Sequence, residues 1–375
     1  MIKMEKPRII ALYLPQYHPF PENDKWWGKG FTEWTNVARA KPLFKGHYQP
    51  RIPADLGFYD LRLPIVREQQ AELAREAGIE GFCYWHYWFG NGKQLMAEIF
   101  DEVISSGKPD FPICLGWANH SWYAKNWNEK DSGKRDRILI EQTFPGDEDI
   151  RKHYEYVLRA FKDPRYIKID NKPFFMIFKA NDIPSNFIEL WNKWAREDGF
   201  DGVFFVGNVD ASDDASAYTQ KGFSAVVKDR IGEQRKAASM RHNKSKLAVL
   251  KYSCDRVIKL LTRKPAQVFS YERCIEAYID EKDDMRDDVI PSLIPDFDHS
   301  PRSGKKGYIV HGSTPALFQK YVRHLIDLVN KKNNKIILLR SWNEWGEGNY
   351  MEPDIKNGKA YIEVLGREVY NATRM

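Results

Sequence analysis

No apolar run in this 375-residue chain approaches the roughly 20 residues that a membrane-spanning helix needs, so no transmembrane anchor is expected. Cysteine is scarce. Cys83, Cys114, Cys254 and Cys274 show no CxxC spacing, and the first two sit in apolar strand-like runs, which makes buried free thiols the expectation rather than disulfides or a zinc site. Neither GxGxxG nor GxxxxGK[ST] occurs, so the phosphate loop that usually opens a doubly wound nucleotide-binding sheet is missing. There is no GxSxG for nucleophilic serine chemistry and no HxH or HExxH for a catalytic metal. Repeats at solenoid periods and low-complexity stretches are absent too. Met1 to Pro7 leads straight into a strand-like run with no signal-peptide core, so the chain is expected to stay in the cytoplasm.

What the chain has in excess is aromatic: 12 Trp, 19 Tyr and 21 Phe make up 14% of it. They crowd at particular places, as in Tyr84-Trp85-His86-Tyr87-Trp88-Phe89. Clusters that mix Trp, Tyr and His suit a cleft whose ligand offers both apolar faces and hydroxyls, and sugars are that kind of ligand. Charge is uneven. From Lys228 to Lys264 twelve Lys/Arg face three acids, a net +9 in a chain whose total is +6, so the remainder is slightly acidic. Without interleaved aromatics that basic segment does not read as a nucleic-acid site. It reads as a helical insert over 228–265, either a plain solvated excursion or a peripheral contact with an anionic membrane surface or a lipid-linked glycan.

Strand-like runs recur at Arg8–Pro15, Ile79–Trp88, Pro112–Asn119, Pro173–Lys179, Gly202–Val209, Phe223–Lys228, Val289–Phe297 and Lys335–Trp342. Between them, Pro64–Ala77, Leu95–Ser105, Asp149–Lys162, Asn186–Asp198, Tyr271–Asp280 and Thr314–Asn330 carry apolar residues at helical spacing. Ser185 and Ser313-Thr314-Pro315 mark helix starts; Gly78, Gly107 and Gly199 mark stops. Eight strands alternating with helices predict a single (β/α)8 TIM barrel over residues 1–375, with long βα loops at Phe20–Leu56 and Ser121–Phe144 and a hairpin over Arg137–Phe144.

In such a barrel the C-terminal strand ends open onto one rim. Strand one ends with Tyr13, Gln16, Tyr17 and His18, strand two with Tyr84, His86, Tyr87 and Trp88, and strand three with Trp117, Asn119, His120 and Trp122. Strand five contributes Asn208 and Asp210, and strand seven Asp296, Asp298 and Arg302. The last strand, Ile336-Ile337-Leu338-Leu339, runs into Trp342-Asn343-Glu344-Trp345-Gly346-Glu347-Gly348. Two carboxyls three residues apart would face opposite ways on a strand, so both reach one pocket only if the backbone turns near Gly346. Glycosidic-bond chemistry needs such a pair, one protonated and one ionised. In a pocket walled by Trp342 and Trp345, the less solvated carboxyl would have the raised pKa and serve as the acid. Trp34, Trp85, Trp88 and Trp122 would complete the sugar-facing walls, with His86, Asn119, His120, Asp296 and Asp298 binding hydroxyls. A metal held by His18, His86, His120, Asp296 and Asp298 is the weaker reading, because their spacing is not that of a metal site; no metal and no cofactor are expected.

Taken together, Leu14-Pro15-Gln16-Tyr17-His18-Pro19, Trp27-Gly28-Lys29-Gly30-Phe31-Thr32-Glu33-Trp34, Gly81–Trp88, Trp117–Trp122 and Trp342–Gly348 resemble the WbsX-like family. Its members are described as glycosyltransferases of O-antigen and capsule gene clusters and are related to glycoside hydrolase family 99. The resemblance runs from about Arg8 to Val369. It implies a (β/α)8 barrel acting on an α-glycosidic linkage, α-mannosidic linkages being family 99's own, with retention and without a metal. It also implies Glu344 as base and Glu347 as acid/base, the 2-hydroxyl of the sugar attacking C1 to give a 1,2-anhydro intermediate. Tyr13 and Glu33 would correspond to further sugar contacts. Family 99 frequently has histidine where this chain has Gly346. The expected substrate is an oligo- or polysaccharide, on a surface polysaccharide or a lipid-linked glycan, with no nucleic acid involved. Two alternatives stand beside this one. The first is a nucleotide-sugar-dependent glycosyltransferase using Asp296-Phe297-Asp298 as a metal-binding Asp-x-Asp. The second is a non-catalytic carbohydrate-binding scaffold.

Overall fold

The computed structural model describes residues 6–124, 137–232, 265 and 267–372. Its centre is a ring of eight parallel strands: β1 Arg8–Tyr13, β2 Gly81–His86, β3 Ile113–Trp117, β4 Lys172–Ile177, β5 Phe204–Asp210, β6 Ala225–Asp229, β7 Ser292–Leu293 and β8 Ile336–Leu339. Neighbours in sequence are neighbours in space, and β8 returns to β1 with Arg8 opposite Ile336 and Ala11 opposite Leu339. The seam between β6 and β7 closes just before β7, where Val226 N bonds Asp288 O at 2.9 Å and Ile290 N bonds Val226 O at 2.8 Å. The result is the (β/α)8 barrel. Parallel strands covered on both faces are near-continuous apolar runs, which is why Ile336-Ile337-Leu338-Leu339 and Ile9-Ile10-Ala11-Leu12 are all buried.

Among the described residues, eight helices ring the barrel: α1 Pro64–Glu76, α2 Ala97–Ser106, α3 Asp147–Phe161, α4 Phe187–Glu197, α5 Ala215–Thr219, α6 Tyr271–Tyr278, α7 Pro315–Val329 and α8 Ala360–Ala372. Each turns its apolar stripe inward, as Phe318, Tyr321, Val322, Leu325, Ile326 and Val329 do in α7. Thr314 caps that helix by accepting the Leu317 N–H, with Pro315 in its first turn. Gly107 closes α2 at φ +69°. Ser185 does not start α4. That helix begins after Asn186, whose amide instead reaches Asp147 across to α3.

Two barrel helices lie outside the six read from the sequence. Helix α5 is five residues long, too short to show a period. Helix α8 buries Ile362, Leu365, Val369 and Ala372, but Gly366 interrupts its propensity. A side chain at Gly366 would overlap the Glu76 carbonyl, so glycine lets α8 seat against the end of α1. The long segment after β1 also holds two short helices, Pro21–Trp27 and Glu33–Arg39. Arg137–Phe144 does not fold as a hairpin in itself: it holds one strand, Ile138–Ile140, which pairs antiparallel with Trp122–Tyr123. The basic insert lies almost wholly outside the described residues. No helix among the described residues is long and apolar enough to cross a membrane.

Candidate active site

Strand β8 delivers the glutamates through a turn held on every side. Asn343-Glu344 pairs antiparallel with Asn349-Tyr350. Between them, Trp345–Glu347 makes one tight helical turn that ends at Gly348, φ +58°. That turn removes the strand's alternation and lets both carboxyls face the same way. Asn343 clips it to β1, accepting from Leu14 N at 2.7 Å and donating to Leu14 O at 3.0 Å. Trp345 is the pin. Its ring stacks on Tyr350 at 3.7 Å, its N–H donates to the Tyr17 hydroxyl at 2.9 Å, and its indole donates to Glu352 at 2.6 Å. Gln70 and Tyr59 also donate to that buried Glu352 carboxyl. Burial lifts Glu352 to about 7, against those donors.

Both glutamates converge on one guanidinium. Arg302 Nη2 lies 2.6 Å from Glu344 Oε1 and Nη1 lies 2.6 Å from Glu347 Oε1, while Nε reaches Glu33 Oε2 at 3.1 Å. Glu344 is 8% exposed, whereas the Glu347 side chain is 27% exposed and lies 3.8 Å from His299 Nε2. Burial pushes the Glu344 carboxyl up to about 8; Arg302 pulls it down, and Glu347 and Glu33 push it up again. Glu33 is likewise raised by burial, with Arg302 opposing. The middle of the turn leaves room for this network. A side chain at Gly346 would overlap Glu33 Oε2 and stand 2.9 Å from Arg302 Nε. Position 346 is therefore closed to the histidine frequent in family 99 while Glu33 and Arg302 stay where they are.

Glu344 and Glu347 line a cleft of about 530 Å3 at the C-terminal rim. Trp85, Tyr87, Trp122 and Phe178 form its aromatic side, and the absence of a side chain at Gly116 leaves room for the Trp85 ring. His120 also lines it, with Nδ1 unpartnered among the described residues. Burial lowers that imidazole to about 4, which keeps it neutral and able to donate to or accept from a hydroxyl.

Among the residues expected at the site, the cleft gathers Glu344, Glu347, Arg302, Trp85, Tyr87, His120 and Trp122, with Glu33 behind Arg302. The others lie elsewhere. Tyr13 points outward to Gln70 on α1, and Tyr84 packs on Phe100 of α2. His86 meets His153 of α3, Nε2 to Nε2 at 2.9 Å, and Trp88 stacks on the same His153 at 4.8 Å. Trp117 stacks on Phe187 of α4. His18 is fully buried against Pro19 O. Asn119 clips the ends of β3 and β4 together through both backbone groups of Lys179. Trp34 donates to Tyr59 O and packs on Trp345. Trp342 and Trp345 are fully buried and do not wall this cleft; they hold the turn instead. Asp296 pairs with Arg51 at 2.9 Å. Asp298 is held at about 2 against the pull of burial by His47, Arg51, Gln49 and Ser300. The Asp-x-Asp carboxylates thus serve contacts within the protein, and among the described residues no three His, Cys, Asp or Glu side chains cluster as metal ligands.

Cleft residues that the sequence reading did not select include Phe178, Asp229, His299, Arg340 and Ser341, whereas Gln16, read at the end of strand one, does line it. Arg340 lies 3.4 Å from both Asn208 and Asp229. Asp229 ends β6 and Arg340 follows β8, so the rule that points to C-terminal strand ends would have found both.

A family model described as "Glycosyltransferase WbsX" matches residues 9–365. Among curated proteins, the uncharacterized protein WxcX of Xanthomonas campestris pv. campestris strain B100 is 32% identical over 372 residues, 97% of this chain and 50% of that protein. WxcX of strain ATCC 33913 is likewise 32% identical over 372 residues. This chain spans about half the length of these relatives. Among solved structures, one described as a glycoside hydrolase-like protein aligns at TM-score 0.59 and 14% identity, over 98% of this chain and 95% of that one. The GH99 endo-alpha-mannosidase from Bacteroides thetaiotaomicron aligns at TM-score 0.59 and 12% identity, over 98% and 97%. At such identities the likeness is one of fold.

Proposed function

This chain belongs to the WbsX glycosyltransferase family, and from that premise we propose that it is a single-domain carbohydrate-active enzyme. It cleaves or transfers an α-glycosidic linkage with retention, acting on a surface polysaccharide or a lipid-linked glycan, with Glu344 and Glu347 as its catalytic pair. One observation carries this reading: two carboxyls from a single turn meet at one guanidinium on the wall of an aromatic cleft. Three carboxylates around one buried cation would leave an excess of negative charge, so the group retains a proton near neutral pH. A retaining site needs such a mixture of protonated and ionised carboxyls.

The roles are those that the family 99 resemblance implies; exposure alone would make Glu344, the more buried of the two, the proton donor. Glu344, buried and raised to about 8, is a strong base once ionised and takes the proton of the sugar 2-hydroxyl. The freed oxygen attacks C1 as the C1–O glycosidic bond breaks, and Glu347, the more exposed of the two, gives its proton to the leaving oxygen. A 1,2-anhydro sugar results. Water or a second sugar hydroxyl then yields its proton to Glu347 and opens the ring at C1, and O2 recovers its proton from Glu344. Trp85, Trp122 and Phe178 offer apolar faces to the ring C–H groups, and His120 a hydrogen bond.

The test is a screen of α-linked oligosaccharides followed by anomeric NMR, with Glu344→Gln and Glu347→Gln alongside. Each substitution is expected to lower turnover by about 10²–10⁴-fold with the thermal transition kept. Full activity in both variants would refute the pair.

A second reading is favoured by the family's description as glycosyltransferases: transfer from a nucleotide sugar. Calorimetry with UDP- and GDP-sugars in the presence of manganese distinguishes it, since tight binding supports a nucleotide donor. The internal engagement of Asp296 and Asp298 counts against their serving as its metal ligands.

A further inference from the structure

We propose that Glu33 is a positioning residue that fixes the charge carried by the catalytic pair, by holding Arg302 through Nε and neutralising part of the guanidinium that Glu344 and Glu347 share. The inference rests on the reading of Glu344 as a catalytic group, and it adds a third carboxyl with a separate task.

The geometry is specific. Glu33 is 1% exposed, so its carboxylate faces Arg302 rather than solvent or substrate. It opens the short helix Glu33–Arg39, whose first turn is capped by Thr32. Its neighbour Trp34 is wedged among Tyr17, Tyr59 and Trp345 and donates its indole N–H to Tyr59 O, so the carboxyl has little freedom to leave. Arg302 meets it with Nε and turns its two terminal nitrogens to Glu344 and Glu347. The turn that carries the catalytic pair is hollowed at Gly346 where these two groups meet. A clamp of this form has an electrostatic consequence. A guanidinium shared among three carboxylates stabilises the ionised form of each one less than a guanidinium shared between two.

Other groups face the cluster. His299 approaches Glu347 at 3.8 Å. Tyr17 and Tyr87 both feel Glu344, Glu33 and Arg302, and Asn36 faces Glu33 from the same helix. None of these is a second cation positioned to replace Arg302.

The consequence is measurable without a substrate. Full-length protein carrying carbon-13 in its glutamate carboxyls is titrated by NMR, and the Glu344 signal is identified by its loss in Glu344→Gln. In Glu33→Gln the Glu344 midpoint is expected to fall by about one pH unit or more, because Arg302 then serves two carboxylates. Gly346→Ala provides a second variant that changes no charge: its added methyl displaces Glu33 from Arg302 and should move the midpoint the same way. A midpoint that stays put or rises would overturn the proposal. Glycan turnover is a separate readout. An inactive protein with a shifted midpoint refutes the catalytic reading alone, and an active one with an unmoved midpoint refutes this inference alone.

Discussion

Replacing Arg302 by methionine removes the guanidinium that Glu33, Glu344 and Glu347 share while keeping most of the side chain's apolar volume. Deleting one partner of a buried ion pair costs about 3–5 kcal/mol, because the charge left behind is uncompensated. Here the stranded carboxylates have an escape, which is to take up protons. For an ordinary glutamate, titrating near 4.3, protonation costs about 3.7 kcal/mol at pH 7 and about 1 kcal/mol at pH 5, at roughly 1.36 kcal/mol per unit. Glu344, raised to about 8, already holds its proton over most of that range and adds little. The destabilisation of Arg302→Met is therefore expected to be about 3–5 kcal/mol at pH 7, shrinking to about 1–2 kcal/mol at pH 5. Its sign follows from the variant's carboxyls binding protons more tightly in the folded state, which favours the fold as pH falls. Urea unfolding of wild type and variant at both pH values, followed by tryptophan fluorescence, measures the difference. A penalty below about 1 kcal/mol at pH 7, or one equal at the two pH values, would refute the claim that this guanidinium holds the site together.

If Glu344 is the base, kcat/KM on an active glycan should rise about tenfold per unit up to a bend near pH 8; a falling limb there would make Glu344 the acid instead. Gly346→Ala should cost about 1–3 kcal/mol through overpacking, and less in a Glu33→Ala background where the overlapping oxygen is gone; equal costs in both backgrounds, by urea unfolding, would remove the clash from the account. The buried His86–His153 pair gives acid sensitivity. Burial drives His86 down to about 3 and lowers His153 too, so both stay neutral in the fold, while the unfolded chain binds protons below about 6.5. Their contribution is full above that pH and is lost as pH falls from about 6.5 toward 3, by about 1.4 kcal/mol per unit for each histidine. His153→Phe should flatten that slope by one histidine's share, and an unchanged slope in denaturation at pH 4 to 7 would count against it.

The barrel was legible because all eight strands are apolar runs of the kind parallel sheets require, and the helices that were missed were those without a clean period. Helix α5 spans little more than one turn, and Gly366 weakens the helical signal of α8 for the sake of close packing on α1. The network at Arg302 was less legible. Glu33 lies 269 residues from Arg302 in sequence and Glu344 lies 42 away, and nothing local to any of them announces that they meet.

The aromatic residues at the rim were legible as a set but not as to task, and strand geometry accounts for the division. Along β2 the side chains alternate. Cys83 and Trp85 turn inward against Gly116 and Tyr87 reaches the cleft, while Tyr84, His86 and Trp88 turn outward to α2 and α3. On β1 the same rule sends Leu12, Leu14 and Gln16 to the cleft and Tyr13 to α1. Treating the run Tyr84–Trp88 as one wall therefore overcounts, and applying the period of two across the strand end separates cleft residues from core. Where the strand stops, the rule stops with it. Trp342 and Trp345 flank Glu344 in sequence, yet both indoles lie in the core, where Glu352 and Tyr350 hold Trp345. A mobile indole beside the carboxyls would leave their separation free to vary. An indole fixed from below keeps Glu344 and Glu347 on one guanidinium, and the cleft takes its sugar-facing surface from β2, the hairpin after β3, and Phe178 just beyond β4.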